Sequence, residues 1–131
     1  MPILDTSFLI DVLRGESNSI DRFGEALVER QQISISAISV MEIEQGLVLC
    51  GYQPSKISRA MNDLAQLNVH VVSQEIAQTA GKIRAELIQE GKSISPEDCI
   101  IAATAINNTQ TLWTADRHFE RITGLNVQFH R

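Results

Sequence analysis

Cysteine is scarce in this chain: Cys50 and Cys99 are the only two. Two thiols, neither of them in a C-x-x-C pair, cannot supply a disulfide framework. A reducing cytoplasm is the simplest compartment for such a chain. The three histidines, His70, His118 and His130, lie far apart and off zinc-ligand spacing, so no zinc site is expected. Long apolar runs are missing too. The longest lies around Cys99–Ala103, far too short to cross a bilayer, so no membrane span is expected. The sequence enters a strand-like run almost at once, and no signal peptide is expected ahead of the fold. Basic charge is in deficit: 11 Lys and Arg stand against 16 Asp and Glu, a net charge of −5. Nucleic-acid-binding domains are usually basic, so this counts against a broad polynucleotide-binding surface.

What is present is a chain of ordinary globular composition. Its 131 residues fit a single domain, and a hydrophobic fraction of 44% argues against disorder. There is no internal repeat, low-complexity segment or linker. Short β-branched or apolar runs alternate with longer helical patterns. Ile3–Leu4, Ile33–Ser36, Val69–Val72 and Thr111–Trp113 read as strands, with Val127–Phe129 as a fifth. Helices are expected over Ser7–Leu13, stopping at Arg14-Gly15, and over Ser19–Arg30 and Ser39–Leu49. Pro54-Ser55 opens another, with Ile57, Met61, Leu64 and Leu67 on one face. Ser73 suits the N-cap of a helix that Gly91 stops, and Ser95-Pro96 is a strong start for the buried helix over Cys99–Ile106. A short helix is expected around Asp116–Ile122. Strands separated by helices imply crossover units. The expectation is therefore an α/β fold with a mostly parallel central sheet of four or five strands flanked by helices.

Four acids stand out against this pattern, each read as lying where a strand-like run gives way to a helix: Asp5, Glu42, Asp98 and Asp116. In an open parallel sheet such positions gather along one edge, where ligands bind. Each has a structural explanation. Glu42 suits a capping box with Ser39, Asp98 one with Ser95, and Asp116 and Asp5 suit N-caps. Together they are harder to explain, because capping is served equally by serine or threonine, and hydroxyl residues stand beside every one: Thr6, Ser7, Ser39, Ser95 and Thr114. Two unit charges roughly 4 Å apart repel by about 1 kcal/mol in water and about 4 kcal/mol at an effective dielectric of about 20. Four gathered carboxylates therefore favour a cation, and hard oxygen donors suit Mg²⁺ or Mn²⁺. Two divalent ions would bring the total charge to about −1. A metal-activated water then becomes the economical nucleophile, since no Ser-His-Asp or Cys-His set is well placed.

Four segments carry a family resemblance: Leu4-Asp-Thr-Ser-Phe-Leu-Ile-Asp11, Ser36-Ala-Ile-Ser-Val-Met-Glu-Ile-Glu-Gln-Gly46, Pro96-Glu-Asp-Cys-Ile-Ile-Ala-Ala-Thr-Ala105 and Thr114-Ala-Asp-Arg-His-Phe119. In this order and chain length they resemble the PIN-domain ribonucleases, and more closely the VapC-like toxins of bacterial toxin–antitoxin pairs. The resemblance spans nearly the whole chain. It implies a single PIN-like three-layer domain over residues 1–131 and Mg²⁺-dependent hydrolysis of RNA phosphodiester bonds, with Mn²⁺ able to substitute. It carries the metal-binding acids onto Asp5, Asp98, Glu42 and Asp116, with Thr6 and Thr114 in support. Glu97 is left unassigned, as a side chain pointing elsewhere on its helix. Cys99 is expected to be a small core residue.

The same resemblance implies an RNA substrate, a cognate antitoxin that inserts a segment into the pocket, and a homodimer in the cytoplasm. Arg14, Arg84, Lys92 and Arg117 are candidate phosphate contacts. Other readings stay open on the residues alone. A haloacid-dehalogenase-type phosphatase would want a second Asp where Ser7 stands. A phosphoacceptor receiver would want paired early acids and a late lysine. A catalytically silent PIN-like binding module would keep the fold without the chemistry.

Overall fold

The computed structural model describes residues 1–131. In chain order the elements are β1 (Pro2–Leu4), α1 (Thr6–Arg14), α2 (Ser17–Val28), β2 (Ser34–Ser36), α3 (Ala37–Leu49), α4 (Pro54–Leu64), β3 (Asn68–His70), α5 (Gln74–Gln89), α6 (Pro96–Asn107), β4 (Thr111–Thr114), a 3₁₀ turn (Arg117–Arg121) and β5 (Val127–Phe129). The five strands form one sheet in the order β3-β2-β1-β4-β5, and every pairing is parallel. The expected α/β architecture is present, with a sheet that is parallel throughout.

The chain begins in the middle of this sheet. It winds outward through β2 to β3, then returns over α5 and α6 to lay β4 on the other side of β1. The order of strands therefore reverses between β1 and β4, and the crevice beyond their carboxyl ends is where α/β sheets take ligands. Leu4 pairs with Ile35 on one side and Trp113 on the other.

Alternation along the strands divides the core in two. Ile3 and Leu112 pack under α5 and α6 with Ile76, Ala80, Leu87, Cys99 and Ile101. Leu4, Ile35 and Trp113 face the opposite layer, with Phe8 and Leu9 of α1, Ala26 of α2, Ile43 of α3 and Leu64 of α4. The result is three layers, helices on both faces of the sheet. Helix α3 serves both cores, since Ile38 joins the first and Ile43 the second.

Element edges moved where a cap differed from expectation. Helix α3 starts at Ala37 because Ser36, the last residue of β2, accepts from the Ile38 amide at 3.1 Å. The proposed Ser39–Glu42 capping box does not form, because Ser39 is already inside the helix. Strand β3 covers Asn68–His70 rather than Val69–Val72. Its partner β2 ends at Ser36, which pairs with His70, so Val71 and Val72 have no ladder to join. Gly15 terminates α1 as expected, with φ of 82°, and its amide donates back to the carbonyls of Asp11 and Val12. Ser73 and Ser95 cap α5 and α6 as read from the sequence.

Candidate active site

Asp5 follows β1 directly. Its amide still donates to the Trp113 carbonyl at 2.9 Å, which continues the β1–β4 pairing to the mouth of the crevice. It is also the N-cap of α1, and it is 3% exposed. Three donors converge on one of its oxygens. The Ser7 hydroxyl and the Thr114 hydroxyl each donate to Oδ2 at 2.7 Å, and the Ser7 amide reaches it at 3.4 Å. No side chain donates to Oδ1, which leaves that oxygen of a nearly buried carboxylate the more available for a ligand. Burial pushes the Asp5 carboxyl above its ordinary value, and the hydrogen bonds from Ser7 and Thr114 only partly offset that.

The hydroxyls on Asp5 are themselves held. The Asp116 amide donates to Thr114 Oγ1 at 2.9 Å, and the Ala115 amide donates to Ser7 Oγ at 3.1 Å. The turn after β4 is thereby tied to the start of α1 through two hydroxyls and one carboxylate. Thr114 was expected in this supporting role. Ser7 was noticed only as a hydroxyl near Asp5, and nothing in the sequence distinguished it from Thr6.

Thr6 supports a different acid. Its hydroxyl donates to Glu42 Oε1 at 2.7 Å and lies 3.0 Å from Ser39 Oγ. Glu42 sits in the second turn of α3, past the helix start, and Thr6 and Ser39 fix its approach. Its carboxyl is raised by burial first, then by the charges of Asp5 and Glu97. Glu97, left unassigned from the sequence, contributes charge that is felt at Glu42.

Asp98 arrives from a helix-to-helix connection rather than from a strand, since the segment before α6 leads out of α5. Ser95 caps α6 and accepts from the Asp98 amide at 3.2 Å. The Asp98 carboxyl is pushed up to about 6, by burial first and then by the charges of Asp5, Asp116 and Glu42. Asp116 caps the 3₁₀ turn, accepting from the His118 amide at 2.9 Å, with His118 Nδ1 at 3.0 Å from the same oxygen. The charges of Asp5, Asp116 and Glu42 thus all bear on Asp98, although no three of these four acids bring ligand atoms within 4.8 Å of one another. They come from four segments, and none is ion-paired to a lysine or arginine.

A second group of donors sits elsewhere. Ligand atoms of Asp11, Glu16 and His130 lie within 4.8 Å of one another, close enough to surround an ion. Much of their hydrogen-bonding capacity is already used, although His130 Nδ1 is buried with no partner. Arg131 donates to Asp11 through Nε at 2.6 Å and a terminal nitrogen at 3.3 Å. His130 Nε2 lies 2.6 Å from Asp11 Oδ2, and since a carboxylate only accepts, that nitrogen carries the hydrogen and has no lone pair for a metal. Glu16 caps α2 through the Asn18 and Ser19 amides. A group that includes an arginine-bound carboxylate and a histidine differs in donor chemistry from the four carboxylates, whose oxygens suit a hard divalent cation. The histidines are separate: His70 binds Gln110, His118 Asp116 and His130 Asp11.

Beside Glu42, a groove of about 190 Å³ opens between α1 and α3, lined by Ile10, Leu13, Arg14, Leu47 and Tyr52 among others. Cys99 is buried in the core, as expected, and burial pushes its thiol up. No helix is long and apolar enough to cross a membrane.

The PIN domain family model matches residues 3–125. The chain is 26% identical to the tRNA(fMet)-specific endonuclease VapC of Shigella flexneri over 128 residues, 96% of this chain and 95% of the relative. Among solved structures it superposes on VapBC-1 of nontypeable Haemophilus influenzae with a TM-score of 0.85 and 25% identity, covering 98% of this chain and 97% of that one. A toxin–antitoxin complex from Klebsiella pneumoniae gives a TM-score of 0.76 and 26% identity, over 100% of this chain and 98% of the other. The family match spans nearly the whole chain, and the chain belongs to the PIN-domain family.

Proposed function

We propose that this protein is a metal-dependent endoribonuclease acting as the toxin of a toxin–antitoxin pair. The observation that supports the reading is that the charges of Asp5, Glu42 and Asp116 all bear on Asp98, from four separate segments, while none of the four acids pairs with a lysine or arginine. Such a group is unfavourable by itself and useful with a cation. Mg²⁺ is the proposed ion, with Mn²⁺ able to replace it, since both suit oxygen donors. Asp5, through Oδ1, and Asp98 would hold it directly, and Glu42 and Asp116 would complete the site. When bound, a divalent ion neutralises a phosphodiester oxygen and lowers the pKa of a coordinated water.

The protein's own contribution is orientation. Ser7 and Thr114 pin Asp5 by Oδ2 and so aim Oδ1 into the crevice. Thr6 holds Glu42 by Oε1. The raised carboxyls make metal binding pH-dependent, because a proton on Asp98 competes with the ion near pH 6.

The relative from Shigella flexneri is named as acting on initiator tRNA. RNA of that class is the proposed substrate here. The proposed antitoxin would lay an apolar segment in the α1–α3 groove and present a basic side chain to the acids. Val48 and Leu49 of α3, 55% and 76% exposed, are available to that partner or to a second copy in a homodimer. The test is cleavage of a bulk tRNA mixture with end mapping. EDTA is expected to stop cleavage and Mn²⁺ to restore it; cleavage indifferent to chelation would refute the metal mechanism.

A further inference from the structure

A polyanion that approaches a protein of net charge −5 has to be met by cations in particular places. Several arginines are already occupied. Arg22 stacks on Trp113, Arg117 stacks on Phe129, and Arg131 holds Asp11. Arg121 donates to the Ser93 carbonyl at 3.3 Å. Arg14, Lys56 and Arg59 differ from these: all three are exposed, and none makes an ion pair.

The three cations line one groove. The hollow of about 190 Å³ beside Glu42 has Arg14 and Tyr52 in its wall. A second hollow, of about 290 Å³, has Lys56, Arg59 and Asp63 of α4 in its wall. Leu13 and Ile43 line both, so the two hollows join across them. The groove therefore starts at an acid of the proposed metal site and leads to α4. Beyond Glu42 itself, it carries three cations against one acid, Asp63.

Helix stability does not account for this set. Arg14 suits the last turn of α1, where a cation is favoured. Lys56 is placed the other way. It stands in the first turn of α4, where an acid is favoured and none is present, and Gln53 gives that turn no side-chain cap. Arg59 follows three residues later on the same face, and like charges at that spacing disfavour a helix. Tyr52 adds a second kind of contact. It is the only exposed residue among the tyrosine, tryptophan and phenylalanines of the chain. A groove that offers cations to a backbone and an aromatic face to a base has the chemistry that binds single-stranded nucleic acid.

We propose that a single strand of RNA runs from the acidic crevice along this groove, with a base stacked on Tyr52 and its phosphates met by Arg14, Lys56 and Arg59. The proposal rests on the ribonuclease reading above. An antitoxin segment lying in the same groove inhibits by covering the path of the substrate as well as the acids.

The experiment measures binding of a labelled single-stranded RNA oligonucleotide over a range of salt concentrations, with Mg²⁺ present and cleavage blocked by Asp98→Asn in every protein compared. Adding Lys56→Gln or Arg59→Gln is expected to lower the slope of log affinity against log salt by about 0.7, the loss of one phosphate contact to a single strand. Lys82→Gln removes the same charge from an exposed position on α5 that lines neither hollow, and should leave the slope unchanged. Tyr52→Ala should weaken binding about 5-fold or more, and Tyr52→Phe should not, since stacking uses the ring and not the hydroxyl. A slope lowered as much by Lys82→Gln as by the groove variants means diffuse attraction and overturns the path. RNA binding that no groove variant changes also overturns it and leaves the groove to the antitoxin alone. A lowered slope with binding indifferent to Tyr52→Ala supports the phosphate contacts and overturns the stacked base. Parent protein that binds no RNA overturns the ribonuclease reading and the path together.

Discussion

Asp5 and Asp11 lie at the two ends of one helix and are almost equally buried, 3% and 5% exposed, yet their carboxyls shift in opposite directions. Asp5 is raised by burial, with hydroxyls its best side-chain partners. Asp11 is lowered, first by the Arg131 hydrogen bond, which with His130 outweighs burial. Position on the helix would suggest the reverse, since the N-terminus favours a negative charge and the last turn does not. Burial decides the outcome at Asp5, and the Arg131 and His130 partners decide it at Asp11; the helix dipole decides neither. The Asp11 group is a closed structural clamp that fastens the C-terminus to α1. The Asp5 group is an open set of charges that the fold has not neutralised. That contrast supports the proposed cation site: the charge of Asp11 is neutralised within the fold, and that of Asp5 is not.

The contrast can be broken from either side. The largest effect is expected at Asp98. Asp98→Asn should lower RNA cleavage by more than the roughly 10–100-fold typical of losing an outer partner of a metal site. A residual rate within 10-fold of the parent in a cleavage time course would remove Asp98 from the proposed metal set. Asp11→Asn should act in the opposite sense. It should lower stability by about 2 kcal/mol, as hydrogen bonds to a charged group usually contribute, while leaving cleavage at a permissive temperature unchanged. Denaturant melts alongside a cleavage assay check this, and a cleavage defect without a stability defect would contradict the clamp.

The two groups should also divide the pH axis. Asp5, Glu42 and Asp98 have folded-state carboxyls above their unfolded values, so folding takes up protons and metal-free stability falls as pH rises through about 6. At Glu16, burial pushes the carboxyl up, but the amide and hydroxyl hydrogen bonds from Ser19 and Asn18 win and hold it low. Asp11 and Glu16 are thus both lowered, so their contribution is present above the ordinary carboxylate range and lost as pH falls below it. Metal-free melting temperature should therefore pass through a maximum near the ordinary carboxylate range, about pH 4. Saturating Mn²⁺ should flatten its alkaline side. A flat metal-free profile between about pH 4 and pH 7 would contradict the repulsive reading of the open group. The smallest effect is expected at Ser7. Ser7→Ala removes one hydrogen bond to Asp5, about 1 kcal/mol, and should weaken Mn²⁺ binding measured by calorimetry several-fold. Unchanged Mn²⁺ affinity would make Ser7 a purely structural tie.

The open group was legible in the sequence and the closed one was not, for a physical reason. Asp5, Glu42, Asp98 and Asp116 each lie close in sequence to a hydroxyl residue and a helix start, although only Asp5 and Asp116 directly follow a strand end. Parallel topology then brings such patterns to one edge without knowledge of any contact. The clamp joins Asp11 to His130 across 119 positions, and no local pattern announces a pairing of that range. Helix caps at Ser73 and Ser95 were readable because their chemistry is local. The start of α3 was misplaced because Ser36 and Ser39 are both competent caps, and only the end of β2 selects the first. Asp98 was assigned to a strand end because Ser95-Pro96 marks a helix start without revealing what precedes it. Glu97 was set aside from its position on a single helix, whereas its charge acts on Glu42 across to α3.

The most direct test is the metal-free melting temperature of Asp98→Asn against wild type at neutral pH, each repeated with Mn²⁺. If the four acids are an unneutralised cation site, the variant melts higher than wild type without metal, and Mn²⁺ raises the wild type far more than the variant. If Asp98 serves α6 as a helix-start residue alone, the variant melts lower without metal and Mn²⁺ leaves both unchanged, and the proposed metal site is wrong.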